Sequence, residues 1–258
     1  MTTLERDKWA EALSKWAIPK EILDQAQESP WIHPPVLFQI PTMIEHIISH
    51  QRALEALPED ASILDIGCGG GIASFALTPP ATHVIGVDHQ GEMLDMFSSN
   101  AAERGVTSET FDGFWPAVAD EVPKADVVTC HHVLYNVSDV GPFLLEMNAH
   151  ANKRVVIEMP AHHPLANMTD AWKHFWNLDR PEGPSPADLV NVLQELGIVA
   201  HVEYWAGSMR SSIDLDRDSE FMRIRLCLPK DRLEDVREYL INHPGNGERD
   251  LATIWWNV

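Results

Sequence analysis

Basic side chains are scarce in this chain: 19 Lys and Arg stand against 39 Asp and Glu, leaving a net charge of −20 over 258 residues. So acidic a surface repels polyphosphate and anionic membranes, which argues against nucleic acid as a substrate unless a local basic patch exists. Cysteine is nearly missing too. Cys68, Cys130 and Cys227 lie far apart in apolar surroundings, so there is neither a disulfide framework nor a zinc signature, and a reduced, cytoplasmic protein is expected. Long apolar runs are also lacking: nothing at the start reads as a signal segment and no stretch approaches membrane-spanning length, so no membrane partner is expected.

What the chain does have is 45% hydrophobic residues, enough for the core of one α/β domain with insertions. It is organised around residues 63–77, Ile-Leu-Asp-Ile-Gly-Cys-Gly-Gly-Gly-Ile-Ala-Ser-Phe-Ala-Leu. Ile63, Leu64 and Ile66 read as a buried strand. Gly67, Gly69, Gly70 and Gly71 force a tight turn that lets backbone approach a ligand, and Ile72 to Leu77 opens a helix. Together these make a nucleotide-type cradle. The dinucleotide fingerprint needs glycine where Ile72 stands, which weakens a nicotinamide oxidoreductase reading, and the P-loop needs a Gly-Lys-Ser/Thr ending that is absent.

Upstream, Leu4, Trp9, Leu13, Trp16 and Ala17 recur at helical spacing over residues 4–17, and a short helix is expected from Glu21 to Gln27. Pro30, Pro34 and Pro35 hold Trp31 and His33 in an extended segment, and a long helix is predicted from about Thr42 to Leu57. Trp9, Trp16 and Trp31 either pack against the main domain or form a lid over a substrate. Downstream, strands are expected at His83 to Val87 with Asp88 at the end, Thr107 to Asp112, Ala125 to Cys130, Lys153 to Met159, Val199 to Trp205 and Leu251 to Trp256. Helices are expected at Gly91 to Arg104 with Gly105 as cap, Val140 to Ala151 capped by Asp139, Ser185 to Gly197, and Arg232 to Ile241. Residues 219–228 alternate like a strand, but Asp218 as a cap and Pro229 as a stop favour a helix.

Strands alternating with helices over residues 62–160 point to a parallel sheet covered on both faces. Residues 161–184, crowded with His162, His163, Trp172, His174, Phe175 and Trp176, read as a helix plus loop over the C-terminal rim of that sheet, where such sheets place ligands. Trp255 and Trp256 suit either core or an interface such as that of a homodimer.

The spacing Asp65-x-Gly67-x-Gly69-x-Gly71, with Asp88 and Asp112 at the next two strand ends and His131-His132-Val133-Leu134-Tyr135 after the fourth, resembles the motifs of class I S-adenosylmethionine-dependent methyltransferases. The resemblance covers about residues 60–206 plus the last strand. It implies an α/β fold, a doubly wound seven-stranded sheet in the order 3-2-1-4-5-7-6 with the final strand antiparallel. It divides the chain into an N-terminal helical cap (1–57) and a methyltransferase domain (58–258) with insertions at 161–184 and 207–249, forming one structural unit.

The cofactor implied is S-adenosyl-L-methionine, leaving as S-adenosyl-L-homocysteine. The resemblance assigns Asp65, Gly67, Cys68 and Gly69 to the cradle and Asp88 to the ribose, and counts His89 and Met93 among the cofactor-binding residues. It assigns Asp112 to the adenine, with Gly113 or Phe114 beside it, and His131 to the surroundings of the sulfonium. Acidic Asp88 suits both ribose hydroxyls. The catalytic candidates are His131, His132 and Tyr135. His131, His132, His162 and His163 are expected near one rim with Glu158, because adjacent strands lie about 5 Å apart. A neutral imidazole there serves as general base or substrate anchor, or merely caps a strand end through hydrogen bonds. A metal site from these four is disfavoured, since His-His pairs lack normal ligand spacing. The expected activity is direct methyl transfer to a small organic molecule. The alternative is a protein that binds the cofactor without methylating, as a sensor or in other sulfonium chemistry.

Overall fold

The computed structural model describes residues 3–31, 39–208, 214–244 and 248–258. Of the expected proline segment, residues 32–38 with His33 lie outside these. Seven strands, β1 (Ala61–Ile66), β2 (Ala81–Asp88), β3 (Thr107–Asp112), β4 (Ala125–His131), β5 (Ala151–Pro160), β6 (His201–Ser208) and β7 (Glu248–Asn257), form one sheet in the order β3-β2-β1-β4-β5-β7-β6. The first five run parallel, and β7 lies antiparallel between β5 and β6. This is the expected doubly wound architecture.

Side chains alternate across the strands, so each face receives every second residue. On one face Leu64, Ile66, Val128, Val155 and Ile157 pack with Trp9 of α1 (Glu5–Ser14), Phe143 and Leu144 of α6 (Val140–His150) and Leu189 of α8 (Pro186–Glu195). On the other, Ile63, Val127 and Val156 meet Leu77 and Ala53, the latter on α3 (Ile48–Leu54). A side cluster of Phe75 on α4 (Ile72–Phe75) with Leu94 and Phe97 on α5 (Gly91–Arg104) closes the glycine end. A separate apolar cluster joins Ile22 of α2 (Lys20–Leu23), Trp172 of α7 (Thr169–Trp176), Leu226 and Cys227 just after α9 (Leu215–Arg225), and Val236 of α10 (Leu233–Asn242). Trp9, Trp16 and Trp256 are buried, while Trp31 is half-exposed. No described helix is long and apolar enough to cross a membrane.

Several boundaries moved. The helix expected from Thr42 to Leu57 shrinks to α3, because Ile40 and Ile44 turn aside to pack on the Phe75–Phe97 cluster and Ile47 is extended. The helix expected from Glu21 to Gln27 is the four-residue α2. α9 begins earlier than residue 219: Asp214, not Asp218, caps it by accepting from the Arg217 amide at 3.0 Å. It ends before 228 because Cys227 takes a left-handed φ of 56°. β6 starts two residues later than expected, and β4 and β5 extend to His131 and Pro160. Asp139 occupies the cap position of α6 without a side-chain bond, whereas Ser185 and Asp188 form the expected capping box on α8.

Candidate functional site

The glycine turn is held open by backbone that only glycine adopts easily. Gly67, Gly69 and Gly71 have φ of 70°, 50° and 91°. A Cβ on Gly67 would stand 2.4 Å from Val133 Cγ2, so the turn lies directly against the segment after β4. The Gly67 and Cys68 amides donate to the Val87 carbonyl at 2.8 and 3.1 Å, tying the turn to the end of β2. Asp65 lies beneath, 1% exposed, where it accepts from the Ser74 hydroxyl and anchors α4. Burial pushes its pKa up to about 7 against the hydrogen bond from Ser74. Cys68 and Met93 are buried, and Cys68 belongs to the Phe75–Phe97 cluster, so it presents the turn through its backbone.

Asp88 stands at the β2 end. Its Oδ2 accepts from the Gly69 amide and its Oδ1 from the Gln90 amide, both at 3.0 Å. Each carboxylate oxygen keeps a further lone pair for a ligand hydroxyl. Asp112 is its register partner on β3, and the Gly113 amide donates to the Asp88 carbonyl at 3.0 Å. Beside them the His89 and Phe114 rings stack with centroids 4.5 Å apart. Phe114 is 68% exposed, an uncovered aromatic face at the rim.

The ends of β4 and β5 carry the charged centre. His131 and Glu158 are register partners. Glu158, 3% exposed, accepts from the Ser49 hydroxyl at 2.5 Å, and its Oε1 lies 2.9 Å from His132 Nε2. Ser49 also meets the Thr253 hydroxyl at 2.7 Å, and Trp205 Nε1 donates to that hydroxyl at 3.0 Å. Burial would push the Glu158 carboxyl up, but the His131 and His132 rings and the Ser49 bond outweigh it and hold the acid at about 2. His131 is enclosed, stacked on His50 at 5.7 Å, and burial pushes its pKa down. His132 is more open and sits at a left-handed φ of 62°.

Aromatic side chains from distant segments cover this rim. Tyr135 stacks on Trp9 and donates to the Pro160 carbonyl at 2.9 Å; burial pushes its pKa up, so it stays protonated at neutral pH. His163 lies flat on Trp16, centroids 3.9 Å apart, and meets the Tyr135 edge at 5.2 Å. Arg180 lies over both Trp16 and Trp172. The four histidines therefore divide: His131 and His132 flank Glu158, His163 packs in the aromatic cover, and His162 is exposed.

Ser49, His50 and Thr253 were not recognised in the sequence. The only signal for Thr253 is a hydroxyl inside the apolar run Leu251 to Trp256; Ser49 and His50 carry none. His50 is 3% exposed with Nε2 lacking a partner, and burial, then the neighbouring His131, lower its pKa from 6.5 to about 3. The folded state therefore binds fewer protons than the unfolded chain in that window, and stability present above pH 6.5 is lost as pH falls. We expect about 2 kcal/mol of this loss between pH 6.5 and 5 to vanish in His50→Leu. Urea unfolding of both proteins at the two pH values checks it, and equal losses would refute it.

A family model described as a methyltransferase domain matches residues 44–200. An uncharacterized protein of Haemophilus influenzae is 29% identical over 229 residues, 81% of each chain. The ubiquinone biosynthesis O-methyltransferase of Azorhizobium caulinodans is 35% identical over 102 residues, a match that spans only 40% of either chain. Among solved structures, YcgJ of Bacillus subtilis shares the fold with a TM-score of 0.55 at 20% identity, covering 81% of this chain and 97% of that one. A putative methyltransferase of Bacillus halodurans does so with a TM-score of 0.52 at 15% identity, covering 81% and 96%. The family match takes in the glycine cradle and all five parallel strands that build the rim, and this chain accordingly belongs to the methyltransferase-domain family, the class I S-adenosylmethionine-dependent methyltransferases.

Proposed function

We propose that this protein transfers a methyl group to a small organic molecule whose proton is taken by His132. The observation that carries this reading is the 2.9 Å contact between His132 Nε2 and the buried, ionised Glu158. An ionised carboxylate accepts only, so Nε2 carries the hydrogen and Nδ1 is left as the proton acceptor. The left-handed backbone at His132 stores about 1–3 kcal/mol of strain, which suits a side chain held for function. Buried His131, already packed on His50, serves better as a wall than as a base.

The cradle fits S-adenosylmethionine: the turn at Gly67 and Gly69 carries no side chain to block a ligand's approach, Asp88 offers lone pairs for a vicinal diol, and Asp112, Gly113 and the open Phe114 face suit the adenine. That cofactor supplies a methyl group already activated on a sulfonium. The chain's own residues must then align a nucleophile, exclude water and accept a proton. The N-terminal cap (1–57) and the insertions at 161–184 and 207–249 are the segments we assign to acceptor choice. Trp9, Trp16, Tyr135 and His163 supply the apolar cover such an acceptor needs.

Incubation with methyl-labelled cofactor and a metabolite extract tests the activity. A labelled small molecule is expected; tight cofactor binding with no labelled product would favour the reading of a cofactor-binding protein that does not methylate. At the ribose end, Asp88→Ala is expected to weaken S-adenosylhomocysteine binding by about ten- to a hundredfold, with Asp88→Asn between. Calorimetric titration measures it, and an unchanged affinity would remove Asp88 from the site.

A further inference from the structure

β7 runs antiparallel beside β5, so its first residues lie at the same end of the sheet as the last residues of β5. Leu251 pairs with Pro160, and the Ala161 amide donates to the Asp250 carbonyl at 2.9 Å, which sets Arg249 just past the point where β5 gives out. On its other side the register partner is Gly207 of β6, which has no side chain to cover it. Alternation along β7 puts Arg249 on the face of Thr253, the face where Ser49 bridges to Glu158.

The Arg249 guanidinium is half-buried, and no hydrogen bond or ion pair holds it among the described residues. In so acidic a chain this is unusual: Arg52 pairs with Glu55 and Glu203, Arg154 with Glu55, and Arg223 with Glu28 and Glu220. The groups that feel its charge are Glu158 and Tyr135, and both are committed, Glu158 to Ser49 and His132, Tyr135 to the Pro160 carbonyl. A partly desolvated cation without a partner is unfavourable, and a bound anion relieves it.

We infer that Arg249 binds a carboxylate of the methyl acceptor, so that the acceptor is an organic acid held with its nucleophilic atom toward His132. The inference rests on the proposed acceptor site at the β4–β5 rim. A guanidinium presents two parallel N–H donors to a planar carboxylate, which fixes direction as well as affinity.

Benzoate is the probe, titrated into the full chain saturated with S-adenosylhomocysteine. Wild type should bind benzoate in preference to benzamide. Arg249→Met should weaken benzoate at least tenfold, with Arg249→Lys between and S-adenosylhomocysteine affinity unchanged in both. Equal benzoate affinity in wild type and Arg249→Met overturns the inference, as does wild type that fails to prefer benzoate over benzamide. A fall in S-adenosylhomocysteine affinity also overturns it, by assigning Arg249 to the cofactor's own carboxylate. If Arg249→Met does not fold, by circular dichroism, Arg249→Lys and the wild-type benzoate preference decide. The labelled-extract experiment separates this inference from the proposed activity: a labelled product found only in the neutral or cationic fraction overturns the role of Arg249 and leaves methyl transfer standing. Benzoate binding that depends on Arg249, with no labelled product in any fraction, supports the role of Arg249 and overturns the activity.

Discussion

His132→Ala is expected to lower kcat by about 10²–10⁴-fold, the range for loss of a general base, while S-adenosylhomocysteine binds as before. A single side-chain contact orients the ring, His132 Nε2 to Glu158 Oε1 at 2.9 Å. Glu158→Gln keeps the shape but offers an amide where the carboxylate accepted, and should cut kcat by about 10–10³-fold and alter the pH profile. A merely structural Glu158 would lose stability without changing the pH profile. His131→Ala should chiefly raise KM, since that ring is buried against His50. An unchanged kcat in His132→Ala would eliminate His132 as the proton acceptor.

The second large effect is on the cradle. Gly71→Ala is expected to destabilise the fold by about 2–5 kcal/mol and to abolish measurable cofactor binding at micromolar concentration. Two costs combine. At a φ of 91° any side chain is strained, and an added Cβ would stand 2.2 Å from Phe75 Cε2 and 2.8 Å from Phe97 Cδ2. Those rings belong to a packed cluster with Cys68 and Leu94, so neither can move without opening a void. Gly105→Ala is the control. It too has a positive φ, 66°, but an added Cβ meets nothing within 4 Å, so only the backbone cost of about 1–2 kcal/mol should appear. Thermal unfolding of both variants and titration with S-adenosylhomocysteine check this. Equal losses would mean that the ring contacts contribute nothing.

The fold was legible because its signals are local. Apolar runs, the glycine turn, the cap Gly105 and the Ser185–Asp188 box each act within a few residues, and the strand ends Asp88 and Asp112 follow from the alternation of strand and helix. Local reading failed where packing intervened. Nothing near Thr42 announces that Ile40 and Ile44 will pack on α4 and α5, and Asp214 and Asp218 are equally good caps until the chain's neighbours choose. The His131–His132 pair was visible, but which of the two is oriented by Glu158 depends on the backbone turn at His132, whose left-handed φ no sequence pattern marks.

By itself, then, the sequence determined the kind of sheet and a nucleotide-type cradle, since short stretches of neighbouring residues build each of these, and its resemblance to a family implied the methyl donor. Only the tertiary structure decided what surrounds the proposed reacting centre. Ser49 reaches Glu158 across 109 positions and Thr253 across 204. Trp9 meets Tyr135, and Arg249 comes to the same rim from the far end of the chain. Those meetings arise from strand order and from helices docking on apolar faces, where many side chains act together and no single stretch of sequence records the outcome.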